Sequence, residues 1–339
     1  MNKVKISDIA RMAGVSPSAV SIALNNRPGI SDKTREKILE IIEENNYIPN
    51  VNSRKLSINK SFNIFVAADA EFTSFDDAFY NSVLMGIIAR CRHYSYNAVL
   101  VDLTDDHDGM ILKRAVDQKN VDGVIFLQRI REVFLDVCLK TALPFAVIDT
   151  HEVKENIPSV YYDYEGAAEK AADYLINKGH RKIALLGLGE IPAFFNATYQ
   201  GYARAFQRAG MQVEMTDILS VSVKKEKIAE ILGEYISHTV PDGIICAGDL
   251  IAVYAMQYLN HTELTVPEHI SVISFDNISL AELCCPTLTT VDIDKNRMGA
   301  EAVDLVMESI LGYSGSSARH RCIEVGGVVV RESVKERRG

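Results

Sequence analysis

Over roughly the first 45 positions apolar residues recur at helical spacing. Beyond Asn63 they gather instead into short unbroken runs. The opening reads Lys5-Ile-Ser-Asp-Ile-Ala-Arg-Met-Ala-Gly14-Val-Ser16-Pro-Ser-Ala-Val-Ser-Ile-Ala-Leu-Asn25. This pattern predicts two short helices meeting at Gly14, a residue that turns left-handed at no steric cost. Ser16 suits the N-cap of the second helix and Pro17 its first position. A third helix is predicted over residues 31–44. Together these elements predict a helix-turn-helix, whose second helix enters the major groove of DNA.

From Asn63 the runs read as strands: 63–68, 98–102, 123–127 and 145–149, with a helix over 79–94 between the first two. A second series follows, with strands at 160–163, 182–187, 243–246 and 270–276 and helices over 165–178 and near 201–209. Unbroken apolar strands are those covered on both faces, and their alternation with helices predicts doubly wound parallel sheets. Two series predict two lobes, with ligands at the C-terminal ends of the strands.

The 339-residue length accommodates a small head and a two-lobed core. Charge divides with this boundary. Residues 1–61 carry ten Lys/Arg and six Asp/Glu, a net of +4; the rest carries 26 and 39, a net of −13, which sums to −9. A basic head on an acidic body suits a protein that meets phosphate with one end. No apolar run reaches membrane-spanning length and the start reads as a polar helix, so a cytoplasmic protein without a signal peptide is expected. The six cysteines lack C-x-x-C spacing and are expected to be core thiols; Cys284-Cys285 has no further ligand nearby, so no metal site is expected.

The head resembles the N-terminus of the LacI/GalR (lactose-repressor/galactose-repressor) family of bacterial transcription regulators. The matching residues are Ile9-Ala10, Ala13-Gly14-Val15-Ser16, Val20-Ser21, Leu24-Asn25, Thr34-Arg35, Tyr47, Pro49-Asn50, Arg54 and Leu56. In the core, Gly179-His-Arg-Lys-Ile183, Gly201-Tyr202, Gly248-Asp249, Val266-Pro267-Glu268, Ser274-Phe-Asp-Asn277, Pro286-Thr-Leu-Thr-Thr-Val291 and Val330-Arg-Glu-Ser333 follow in order. The resemblance implies an all-α helix-turn-helix head over 1–49 and a hinge helix over 50–61. It implies a periplasmic-binding-protein-like α/β core with lobe 1 at 62–162 plus 292–323 and lobe 2 at 163–291 plus 324–339. Crossovers are expected near Asp163, Val291 and Glu324, the last carrying a strand over 324–331 into lobe 2. The partners implied are double-stranded operator DNA, a small-molecule effector and a second copy of the chain, meeting through both lobes and the helix around residues 81–92. No leucine heptads follow Arg331, so no tetramerising tail is expected.

By that resemblance Pro17, Ser18 and Ile22 are the expected base contacts, with Leu56 as a minor-groove wedge. Ile22 stands where many members carry Arg; it cannot make bidentate bonds to guanine but can pack on a thymine methyl. Ser7, Ser16, Ser21, Asn25, Arg27, Thr34, Tyr47, Asn50 and Arg54 are expected at the DNA backbone. The expected effector contacts are Asp276, Asp249, Asp163, Thr198, Phe194 and Phe75. Thr198 replaces an Arg that holds the effector in most members, and with aromatics at the rim this favours a neutral sugar or oligosaccharide over a carboxylate or phosphate. An unusual effector, or none, is the alternative.

Two other classes compete. Gly187-Leu-Gly189 suggests a dinucleotide-dependent oxidoreductase, but the third glycine is missing. A transport-type solute-binding protein would have no use for a helix-turn-helix. No nucleophile–base spacing points to catalysis, so neither an enzyme nor a cofactor is expected.

Overall fold

The computed structural model describes residues 4–24, 28–45, 47, 60–69, 75, 77–150, 152–313 and 319–337. The chain divides into two compact units, residues 1–61 and 62–339.

The first unit holds α1 (Ile6–Ala13), α2 (Pro17–Leu24) and α3 (Asp32–Glu44). Gly14 ends α1 at φ 71°, a conformation costly for any residue with a Cβ. The Ser16 hydroxyl accepts from Ala19 N at 3.2 Å, and Ser31 caps α3 by accepting from Thr34 N at 3.2 Å. Ile9, Ala10, Ala13, Val20, Ala23, Ile38 and Tyr47 form the core. From α3, Arg35 donates to the carbonyls of Ile22 and Ala23 at 3.3 Å and Lys37 to that of Ala13 at 3.0 Å. Two cations thereby occupy the carbonyl ends of α1 and α2, where the helix dipole favours them.

The second unit holds two six-stranded sheets. The strands of lobe 1 are β1 (Asn63–Ala68), β2 (Asn97–Asp102), β3 (Gly123–Leu127), β4 (Phe145–Ile148), β5 (Ser159–Tyr162) and β11 (His320–Ile323), in spatial order β11-β5-β4-β3-β1-β2, all parallel. Those of lobe 2 are β6 (Ile183–Leu188), β7 (Ile218–Val221), β8 (Gly243–Cys246), β9 (Ser271–Asp276), β10 (Thr289–Asp292) and β12 (Val328–Val329), in order β12-β10-β9-β8-β6-β7. There only β12 runs antiparallel to its neighbour. Every residue of β3, β4 and β8 is buried, which explains their unbroken apolar sequence.

The helices are α4 (Ala78–His93), α5 (Met110–Asp117), α6 (Glu132–Thr141), α7 (Tyr164–Asn177), α8 (Pro192–Arg208), α9 (Lys225–His238), α10 (Asp249–Leu259), α11 (Leu280–Leu283) and α12 (Lys295–Leu311). α7 packs on α8 so closely that a Cβ on Gly201 would lie 2.0 Å from the Glu165 carbonyl oxygen, so only glycine fits. Next to it Tyr202 is fully buried and donates to the Ile183 carbonyl at 2.7 Å. The chain passes from β5 to α7 at Asp163, from β10 to α12 at residues 293–294, and from β11 to β12 over residues 324–327. The last strand is shorter than the expected 324–331: Gly326-Gly327 interrupts the apolar run, and Gly326 N donates to the Asp292 carbonyl at 2.8 Å.

Candidate DNA-binding head and ligand cleft

On the head, Ser7, Ser16, Pro17 and Ser18 are exposed. Ser16 already accepts its capping bond. Ser21 and Ile22 are half-buried, with the Ile22 side chain turned toward Gly29. The Thr34 hydroxyl pairs with that of Ser31 at 2.8 Å. Tyr47, expected at the DNA backbone, is instead largely buried in the head's core. Asn25, Arg27, Asn50, Arg54 and Leu56 lie outside the described residues.

In the core a cavity of about 530 Å³ opens between the C-terminal edges of the two sheets. Lobe 1 lines it with Asp77, Phe79, Tyr80, Gln128, Asp149 and Tyr162; lobe 2 lines it with residues including Leu188, Glu190, Phe194, Ile251, Asp276 and Ile278. A drug-sized or sugar-sized molecule fits such a volume. Gln128 follows β3, Asp149 follows β4 and Asp276 ends β9, so the parallel strands aim these side chains at the cleft. Gln128 (φ 65°), Asp149 (φ 60°), Asp276 (φ 123°) and Asn277 (φ 54°) all have left-handed backbones. Strain of this kind costs about 1–3 kcal/mol per residue and collects at binding sites.

Hydrogen bonds fix the floor. Tyr80 donates to Asp149 at 2.7 Å, Tyr164 donates to its other oxygen, and Tyr162 donates to Asp276 at 3.4 Å. Burial, then the adjacent carboxylates, push the Tyr162 and Tyr164 hydroxyls well above their ordinary range, so both stay neutral donors. Burial also pushes the Asp276 carboxyl well above the usual carboxylate range, with Asp249 and Asp149 adding to the shift and Lys295 opposing it. The Lys295 ammonium is buried, donating to the backbone carbonyls of Asp276, Asn277 and Ile293.

Four expected effector contacts are corrected. Asp249 is fully buried below the cleft, accepting from Ser274, from Thr290 at 2.7 Å and from Ile278 N at 2.7 Å. Burial raises its carboxyl, and those bonds oppose the shift. Asp163 caps α7 by accepting from Gly166 N at 2.8 Å. Thr198 is fully buried and bonds the Phe195 carbonyl at 2.9 Å. Phe75 packs half-buried on the core, off the cavity wall. Asp276 and Phe194 do line the cavity. Sequence reasoning missed Asp149, Tyr80, Tyr162 and Gln128, although the first polar residue after a parallel strand marks the cleft.

Residues 5–50 match the family model described as bacterial regulatory proteins, lacI family, and residues 172–334 match a periplasmic binding protein-like domain. Over 344 residues the chain is 29% identical to the HTH-type transcriptional repressor PurR of Pasteurella multocida, covering 98% of this chain and 99% of the relative. With the protein of the same name from Photobacterium profundum it shares 28%, covering 98% of each. The lac repressor dimer bound to operator and the anti-inducer ONPF superposes with a TM-score of 0.76 at 23% identity, over 98% of this chain and 100% of that one. The complex of the transcriptional regulator CelR with cellobiose superposes with a TM-score of 0.71 at 24% identity, over 97% and 99%. At these identities the structural matches speak to the fold. The helix-turn-helix head, the two parallel sheets and the full-length relatives agree: a lacI-family regulatory head is joined to a periplasmic-binding-protein-like core, the arrangement of the transcription repressors to which the chain is similar.

Proposed function

We propose that this repressor binds a near-palindromic operator as a homodimer in the cytoplasm, and that a sugar in the interlobe cleft sets its operator affinity. The observation carrying the sugar reading is the cavity itself. The aromatic rings of Phe79, Tyr162 and Phe194 line it together with the hydrogen-bonding groups of Asp149, Asp276 and Gln128. Aromatic faces stack on the apolar faces of sugar rings while carboxylates accept from hydroxyl groups. The cellobiose complex of CelR and the ribose-bound regulator from Enterococcus faecium add support by analogy of fold. Dimerisation is supported by Met85 and Ile88 on α4 and by Leu100 on the edge strand β2, all exposed apolar side chains. Pro17 and Ser18, exposed at the start of α2, remain the proposed base contacts, with Ile22 beside them. Ligand closure of the lobes would bias whether two heads dock together.

The test selects operator fragments from genomic DNA with the purified full chain. Binding is then followed by fluorescence anisotropy with and without a panel of sugars. The expected result is steeply salt-dependent binding, shifted by at least one sugar, with the shift lost in Phe194→Ala. Operator affinity and melting temperature indifferent to every sugar would sink the cleft reading.

A further inference from the structure

The expected effector is a neutral sugar, but the charge of the cavity is far from balanced. We infer that the ligand is an amino sugar, a polyhydroxylated ring whose ammonium group sits between Asp149 and Asp276. This inference rests on the sugar reading above. Each lobe contributes two carboxylates: Asp77 and Asp149 from lobe 1, Glu190 and Asp276 from lobe 2. Asp77 and Glu190 are exposed at the rim, whereas Asp149 is buried and Asp276 half-buried. Among the described residues no Lys, Arg or His lines the cavity.

The groups behind the wall do not restore the balance. Lys295 is spent on three backbone carbonyls. Asp249 adds a further carboxyl beneath Asp276. The hydroxyl groups of Tyr80, Tyr162 and Tyr164 donate to the two floor carboxylates but bring no charge. Held beside Leu188, Ile191, Ile251 and Ile278, the Asp276 carboxylate has lost much of its hydration, so it must keep a proton or find a cation. The raised Asp276 carboxyl is the first of these outcomes in the empty site. A ligand ammonium supplies the second, because it has three donors and the carboxylates are acceptors only. Phe79, Tyr162 and Phe194 also line the cavity, and an aromatic ring attracts a cation placed over its face. A uronate or sugar phosphate would instead add negative charge to a site already rich in it.

The same geometry gives the ligand's charge a mechanical role. Asp149 belongs to lobe 1 and Asp276 to lobe 2. An ammonium between them is attracted to both lobes at once, so the charged ligand favours the closed arrangement over the open one.

The test measures full-length protein by calorimetry against matched sets. Glucosamine, galactosamine and the glucosamine disaccharide are compared with their neutral parents and with glucuronate and galacturonate. At least one amino sugar should bind about tenfold or more tightly than its neutral parent, the worth of one charge-assisted hydrogen bond. Uronates should bind most weakly. Asp276→Asn and Asp149→Asn should each bring the amine-to-neutral ratio toward one, and Glu190→Gln at the exposed rim should lower it less. Should the Asp149→Asn protein fail to fold, the Asp276→Asn ratio decides. If every amino sugar is matched or exceeded by its neutral parent or uronate, the charge inference is overturned and the sugar-binding cleft is left standing. No sugar of any charge bound by wild type overturns both.

Discussion

Replacing Asp249 with alanine removes one acceptor from three donors at once. The Ser274 and Thr290 hydroxyls and the Ile278 amide all point at this carboxylate, and Asp249, Ser274 and Thr290 are each fully buried. They tie the start of α10 to β9, β10 and the loop after β9. Leaving a buried donor unsatisfied costs about 1–3 kcal/mol. Rotation of the two hydroxyl groups toward other acceptors recovers part of that cost. Removal of a carboxyl whose burial disfavours its charge recovers more. The sum is therefore set at the low end, a loss of about 3 kcal/mol. For a unit of this size about 2–4 °C accompanies each kcal/mol, so the core should melt roughly 6–12 °C lower.

Calorimetry of the full chain reads this loss as a shift in the core transition. Asp249→Asn keeps an acceptor oxygen and should lose less than half as much. Ligand affinity measured well below the melting range should change by no more than about threefold in either variant, a difference of under 1 kcal/mol. An unchanged melting temperature together with abolished ligand binding would refute the reasoning. Asp249 would then be a ligand contact and the network around it incidental.

The half-buried Ile22 side chain predicts an altered preference on change to arginine. Ile22→Arg should shift selection toward guanine at one position per half-site by about 1–3 kcal/mol, and unchanged selection by a folded variant would place Ile22 in the head's core alone. At Asp276 the folded-state carboxyl is raised, so the folded chain holds a proton that the unfolded chain releases. Stability contributed by this group is full below the unfolded value of about 4 and falls as pH rises toward the folded value. The ligand-free Asp276→Asn protein should therefore gain melting temperature over wild type increasingly from about pH 4 upward; a difference that is flat with pH, or that shrinks, counts against the buried-carboxyl account.

What the sequence discloses and what it hides follow from the range of the forces involved. Gly14, Ser16 and Pro17 act through bonds a few residues long, so the helix-turn-helix is legible locally. Strands β3, β4 and β8 are legible because burial on both faces leaves unbroken apolar runs. The same burial hides α10, whose residues Ile251, Ala252, Val253, Ala255, Met256 and Leu259 are all buried and leave no polar stripe to mark a helical period. Edge strand β7 is hidden for the opposite reason, being only four residues long and half-exposed. The binding site is harder still. Asp149 reads as an ordinary polar residue after a strand until Tyr80, 69 positions earlier, donates to it across the lobe. Asp249 and Asp276 each stand at the C-terminal edge of the lobe 2 sheet, and both read as ligand contacts. A turn of the backbone separates them: Asp249 opens α10 pointing inward, and Asp276 takes φ 123° and faces the cavity. No local pattern encodes that difference, because it arises from hydroxyl groups on β9 and β10 that capture one carboxylate and leave the other to the cleft.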